Sequence, residues 1–234
     1  MKTAKKFLTA AGFIGALVLS PAGFAYDGSL TMSNYAYPSA LGFSITGHSS
    51  VGAGGFSASY DKNFAAAPAA TSFVSYCIDL AQTFSWNTPI NNIVEKTPLS
   101  LFGAFKAGAL DRLYTQHFAA STTPTLSAAF QLSVWEIVTE TTASTYAALG
   151  LTTGTFVATA GDSTARTTAD TWLHNLGAGN SGGYKLTALT SATNQDQMMA
   201  TPVPEPQTYV MMLAGLGLMG FVARRRQRAM LTPA

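Results

Sequence analysis

Residues 71–80 read TSFVSYCIDL. Val74, Tyr76, Ile78 and Leu80 fall at period two, and so do Phe73, Ser75, Cys77 and Asp79. That alternation predicts a β-strand. The first set is apolar and the second mixed, which puts Cys77 on the less apolar face. Cys77 is the only cysteine of 234 residues, so it has no intramolecular disulfide partner. A lone cysteine on a strand is more often a small buried hydrophobe than a reactive group. Its meaning therefore depends on what the rest of the chain brings to it.

Downstream, Thr97-Pro98 predicts an N-cap followed by proline at the first helical position. Leu99 to Phe118 then reads as a helix, with Phe102, Phe105, Ala109 and Leu113 at helical spacing and Gly103 and Gly108 as weak points. A second helix is predicted from about Leu126 to Glu140. Phe130, Val134, Ile137 and Val138 form its apolar stripe, and Gln131 and Trp135 are one turn apart on an adjoining flank. Glu136 and Glu140, also one turn apart, read as a solvated face rather than an acid pair. Gly154 to Ala160 and Gly183 to Thr190 read as strands. Thr167 to Leu176 reads as a short helix with Trp172, Leu173 and Leu176 inward and Gly177 as its stop. Upstream, Leu41 to Thr46 and Phe56 to Tyr60 read as short strands. Gly52 to Gly55 is a turn and not a phosphate loop, because no Lys-Ser/Thr follows it. The expected fold class is α+β, a β-rich part with a small helical part, plus a segment at each end.

The N-terminal segment has a basic head (Lys2, Lys5, Lys6), an apolar run from Phe7 to Leu19, and small residues at Gly23 and Ala25. This is the pattern of a secretory signal peptide over residues 1–25, cleaved by signal peptidase after Ala25; the run is short of the roughly 20 residues that span a bilayer. The extracytoplasmic domain is then expected over residues 26–197. Residues 198–208 contain Pro202, Pro204 and Pro206 and read as an extended linker. Residues 209–234 read as a transmembrane helix with a basic tail. Its apolar run, Tyr209 to Ala223, spans only about 22 Å as a helix, against roughly 30 Å of hydrocarbon. The arginines that follow are held cytoplasmic by the positive-inside rule.

Three C-terminal features stand in order: Pro204-Glu205-Pro206, the apolar Met211 to Val222, and Arg224-Arg225-Arg226. This order resembles the PEP-CTERM sorting signal. The resemblance implies a precursor anchored in the inner membrane of a Gram-negative bacterium. It also implies recognition by an exosortase-type protease and delivery to the cell surface or an exopolysaccharide matrix.

The formal charge of +2 is produced by the ends. Between Tyr26 and Ala200, six Lys/Arg stand against ten Asp/Glu, a net charge of −4. Such a middle does not suit nucleic acid, which calls for a basic face. His48, His117 and His174 are scattered, and no Gly-x-Ser-x-Gly elbow is present. There is no His-Glu-x-x-His or closely spaced ligand set. No turnover enzyme, metal or cofactor is expected.

The remaining signal is a pair of motifs. Tyr76-Cys77-Ile78-Asp79 is followed downstream by Phe130-Gln131-Leu132-Ser133-Val134-Trp135. The pair resembles the Cys-Gln thioester domains of bacterial surface adhesins, over roughly residues 41–189. The resemblance implies a bond between Cys77 as thiol partner and Gln131 as acyl partner, with Tyr76, Asp79 and Trp135 as its surroundings. It implies covalent adhesion to amine-bearing surfaces. Gln82 and Gln116 are rival acyl partners without the following apolar-Trp pattern. The alternative is a non-reactive structural or carbohydrate-binding protein of an exopolysaccharide matrix.

Overall fold

The structure is a computed structural model that describes residues 28–62, 71–204, 212–216 and 218–220. The expected signal peptide, Glu205, Pro206, Arg224 to Arg226 and the expected membrane helix apart from residues 212–216 and 218–220 lie outside these residues. Residues 212–216 and 218–220 are helical. Among the described residues no helix is long and apolar enough to cross a membrane.

Six antiparallel strands close into a barrel: β1 (Gly28–Tyr35), β4 (Phe56–Asp61), β5 (Thr71–Cys77), β9 (Gln197–Pro202), β8 (Tyr184–Thr190) and β6 (Ile90–Lys96), in that spatial order. Period-two burial fills it. Leu30 and Met32 of β1 and Phe56, Ala58 and Tyr60 of β4 are buried while residues between them are less so. Small barrels are filled by side chains in this way. A β-carbon at Gly28 would collide with the Tyr60 ring, so the closest approach of β1 to that ring calls for glycine.

A second, three-stranded sheet is ordered β3 (His48–Ala53), β2 (Leu41–Ile45), β7 (Ala158–Gly161). The helical part is one insertion between β6 and β8, which are hydrogen-bonded neighbours with Lys96 opposite Ala188. It holds α1 (Pro98–Leu113), a π-helical turn (Tyr114–Phe118), α2 (Pro124–Thr139) and α3 (Ser163–Asn175). Each helix start is capped as expected of its residue type. Thr97 Oγ1 accepts from the Ser100 N–H at 3.2 Å, Thr123 Oγ1 from Leu126 at 3.2 Å, and Asp162 Oδ1 from Ala165 at 2.7 Å. Gly103 bends α1 at φ 79°, a value that glycine adopts without strain.

The α+β expectation thus meets a six-stranded barrel with an inserted helical part. Four strands, β1, β3, β6 and β9, were not expected from the sequence. β9 overturns the linker reading over residues 198–202: Gln197–Pro202 is a barrel strand, paired with both β5 and β8. Pro202 sits at its end, where a missing donor is tolerated. β5 ends at Cys77, three residues before the expected Leu80. Both of its faces are covered there, with Ser75, Tyr76, Cys77 and Ile78 all buried. The distinction between a more and a less apolar face disappears because α2 packs across the strand end.

Candidate functional site at the end of strand β5

Helix α2 is buried almost all round, from Ser127 to Ile137. A helix hydrophobic on every side is a core helix, and this one also carries Ser127, Gln131, Ser133 and Glu136 inside. Each must find a partner. Ser133 bonds back to the Ala129 carbonyl at 2.9 Å. Gln131 reaches across to β5.

The Gln131 side-chain oxygen accepts the Cys77 backbone N–H at 3.0 Å, and its NH2 group donates to the Cys77 carbonyl at 2.8 Å. The amide therefore docks on the last residue of β5 as a neighbouring strand would. Cys77 has no exposure and Gln131 1%. The two residues singled out in separate motifs meet directly. Gln82 and Gln116 do not take part: Gln82 donates to the Ala192 carbonyl, and Gln116 to Leu176 and Asn180.

The thiol donates to the Asp79 carbonyl at 2.8 Å, and the Asp79 N–H lies 3.4 Å from the sulfur. Asp79 Oδ1 accepts the Ala81 N–H at 2.8 Å, closing an Asx turn that carries the chain away from the strand. Trp135, one turn beyond Gln131, is 2% exposed. Its indole N–H has no hydrogen-bond partner among the described residues and lies near enough to the sulfur to favour the thiolate. Burial opposes this more strongly, and the Asp79 and Asp196 carboxylates add to that opposition, so the thiol is pushed up to about 12. Cys77 is a neutral thiol at physiological pH.

Aromatic rings close the site. The Tyr76 ring lies 4.5 Å from Phe130 and 6.2 Å from Phe118. Its hydroxyl is 3.1 Å from Ser127 Oγ, which accepts the Gly55 N–H at 2.8 Å. Burial raises the Tyr76 phenol. Behind Cys77 stands Gln197 of β9, its register partner, whose Oε1 accepts the Ser75 hydroxyl at 3.0 Å. Sequence reading missed Gln197 because it lay next to the supposed linker. It also missed Ser127, although that residue stands one helical turn before Gln131.

The helix end corrects another expectation. Glu136 and Glu140 are 0% and 3% exposed, not a solvated face. Glu136 Oε1 accepts the Gly150 N–H at 2.9 Å, and burial lifts its carboxyl to about 8. Burial also acts on Glu140. It is outweighed by hydrogen bonds from the Thr142 hydroxyl and from the backbone N–H groups of Thr142, Thr155 and Phe156, which bring that carboxyl down to about 2. His48 is exposed on β3, His117 stacks on Trp172 at 4.4 Å, and His174 bonds the Asp170 carbonyl of its own helix. Among the described residues, no group of three or more His, Cys, Asp or Glu could hold a metal ion.

The model of the PEP-CTERM protein-sorting motif matches residues 202–226. The match indicates an exported, membrane-processed precursor and implies processing by an exosortase. It begins where β9 ends: Pro202 closes the strand, and the Val203 N–H donates to the Gly183 carbonyl at 2.9 Å. No curated protein and no solved structure matches the chain.

Proposed function

We propose that this exported protein carries an internal thioester between Cys77 and Gln131 and uses it to attach covalently to amine-bearing surfaces, once per molecule. The observation that carries the reading is the two-point docking of the Gln131 amide on Cys77. The thiol, the electrophile and a carbonyl-polarising N–H belong to two adjacent residues held by a strand and a core helix. Such positioning supplies much of what a poor electrophile needs.

The reaction balances without oxidant or reductant. Cys77 sulfur bonds to the Gln131 side-chain carbonyl carbon and its proton passes to the amide nitrogen. The C–N bond breaks, and ammonia leaves. The Cys77 N–H at 3.0 Å from the amide oxygen serves as one donor to the developing oxyanion. A later amine attacks the thioester carbonyl, forms an amide on Gln131 and returns Cys77 as a thiol. Burial by Tyr76, Phe130 and Trp135 keeps water from the bond meanwhile. The segment leaving β5 is the way in for an amine, since Ala81 is exposed and Asp79 and Leu80 are half-buried. The sorting motif fits this role by sending the domain to the surface or matrix of a Gram-negative cell.

A second reading is a non-reactive structural protein of the same location. It is favoured by the Cys77 backbone satisfying both polar atoms of the Gln131 side chain, a purely structural role. Mass spectrometry of the purified full chain separates the two. In the thioester reading, the peptides bearing Cys77 and Gln131 are joined and one ammonia lighter than their sum. Methylamine then releases them with methylamide on Gln131, and Cys77→Ala abolishes both effects. A full-mass wild type that stays inert to methylamine overturns the thioester.

A further inference from the structure

The segment between β5 and β6 carries a second feature. Phe84 and Trp86 meet Tyr35 of β1 and Phe56 of β4 in a four-ring cluster. Centroids are 5.0 Å apart for Tyr35 and Trp86, 4.8 Å for Phe84 and Trp86, 5.7 Å for Phe56 and Trp86, and 5.5 Å for Tyr35 and Phe56. Phe56 is buried and Tyr35 and Phe84 are half-buried, but Trp86 remains 40% exposed. Its planes with the three neighbours are 57°, 71° and 82°, so none of these rings lies parallel over the indole. The cluster fixes a tryptophan and leaves part of its surface bare.

The turn that presents it is well tied. The Asn87 N–H donates to the Met32 carbonyl at 2.8 Å, Thr88 Oγ1 donates to the Trp86 carbonyl at 3.2 Å, and Asn87 takes φ 54°, which asparagine tolerates. Ser85 and Asn87, which flank Trp86 in sequence, and Ser33 and Asn34, which precede Tyr35, are exposed. Among the described residues the side chains of Ser85 and Asn87 make no hydrogen bond. The two stretches that build this face, residues 28–60 and 80–94, contain no Asp, Glu, Lys or Arg.

We propose that the Trp86 face binds a neutral polysaccharide. A pyranose presents a flat C–H surface flanked by hydroxyls. The face offers a bare aromatic surface flanked by amides and hydroxyls. Tryptophan suits such a place because it joins a broad apolar body to a polar handle. Neither stretch offers a lysine or arginine to the phosphates of nucleic acid, to a uronate or to a phosphorylated headgroup. Neither Cys77 nor Gln131 belongs to the ring cluster, and the proposal does not depend on a bond between them.

The test is native affinity electrophoresis of the full chain in mild detergent, through gels holding hydroxyethyl cellulose, dextran, laminarin or alginate. The expected result is retardation by at least one of the three neutral polymers and not by alginate. Trp86→Ala and Trp86→Leu should each weaken it by about tenfold or more, and Cys77→Ala should leave it unchanged. The leucine variant keeps apolar cover over the barrel end, so its loss of binding reports on the ring and not on folding. No retardation by the neutral polymers, equal retardation of Trp86→Leu, or retardation by alginate alone overturns the proposal. So does self-association that Trp86→Ala abolishes without any polysaccharide binding, which would assign the face to a second copy of the chain.

Discussion

Helix α2 buries Gln131 near its middle and Glu136 and Glu140 near its end. All three side chains do the same structural work, satisfying backbone groups of segments that pack on the helix. The segments differ. Glu136 and Glu140 receive N–H groups from the loop after the helix, at Gly150, Thr142 and Thr155. Those N–H groups belong to a glycine and two threonines, none of which carries a thiol. Gln131 receives the N–H and serves the C=O of a single residue, and that residue is a cysteine. Satisfying a buried amide is common to both regions. Only one of the two regions places a sulfur beside the docked side chain, and the proposed reaction belongs there. The comparison also separates neutral from ionisable partners: at one end of the helix stability is indifferent to pH over the physiological range, and at the other it is not.

The comparison breaks most forcefully at Gln131. Gln131→Leu leaves the Cys77 N–H and C=O buried without partners, at a cost of about 2–5 kcal/mol. Denaturant unfolding of the full chain measures it. That loss is expected whether or not the thioester forms. Methylamine treatment sharpens the reading: a wild-type chain holding the crosslink also loses stability on treatment, because the bond ties β5 to α2. A Gln131→Leu chain as stable as wild type would mean that the docked amide contributes nothing.

Glu140→Gln is the next largest effect. Its two oxygens take N–H groups of Thr142 and Thr155 and the hydroxyls of Thr142 and Thr155. An amide places its own N–H against these donors, so about 1–3 kcal/mol is lost near neutral pH. The folded carboxyl, at about 2, is depressed below the ordinary glutamate value of 4.5. Its stabilisation is therefore present above pH 4.5 and fades as pH falls toward 2. Unfolding curves of wild type and Glu140→Gln should converge through that window.

Much of this was legible before any coordinates. Cys77 and the glutamine that docks on it stood in two separate motifs, the cap at Thr97 was written in Thr97-Pro98, and β2, β4 and β8 alternated or carried turn signals. What was not legible has physical causes. β1 holds serine and asparagine at its exposed positions, and in β6 Ile90 is followed by Asn91-Asn92, residues that read as turn. β9 runs Gln197-Met198-Met199-Ala200, without alternation, because its burial follows two neighbours at once. The glutamates misled for a related reason. A one-turn carboxylate pair reads as surface, and only the return of residues 142–155 over the helix end puts them inside. The Trp86 face could not be read either, since exposure of a tryptophan is decided by what fails to cover it.

Glu136 offers the smallest effect and the finest distinction. Its carboxyl has one partner, the Gly150 N–H, and a second oxygen with none among the described residues. The folded value of about 8 is raised above 4.5 chiefly by burial, with the Gly150 N–H opposing and the Glu140 and Asp170 carboxylates adding to the rise. The folded state then holds a proton that the unfolded chain releases, so stability contributed by the protonated form is full below pH 4.5 and is lost as pH rises through 8. Glu136→Gln keeps an acceptor for Gly150 and has no proton to lose. Near pH 4.5 the variant and wild type should unfold at the same denaturant concentration. At pH 8.5 the variant should be more stable by about 1–2 kcal/mol, less than the whole shift because the ionised wild-type carboxylate can draw in water. The same substitution should leave the methylamine reactivity of the full chain untouched, because the hydrogen bond of Glu136 goes to Gly150 and not to Cys77 or Gln131. If it changed that reactivity, the two ends of α2 would be coupled, and the division drawn between them would have to be given up.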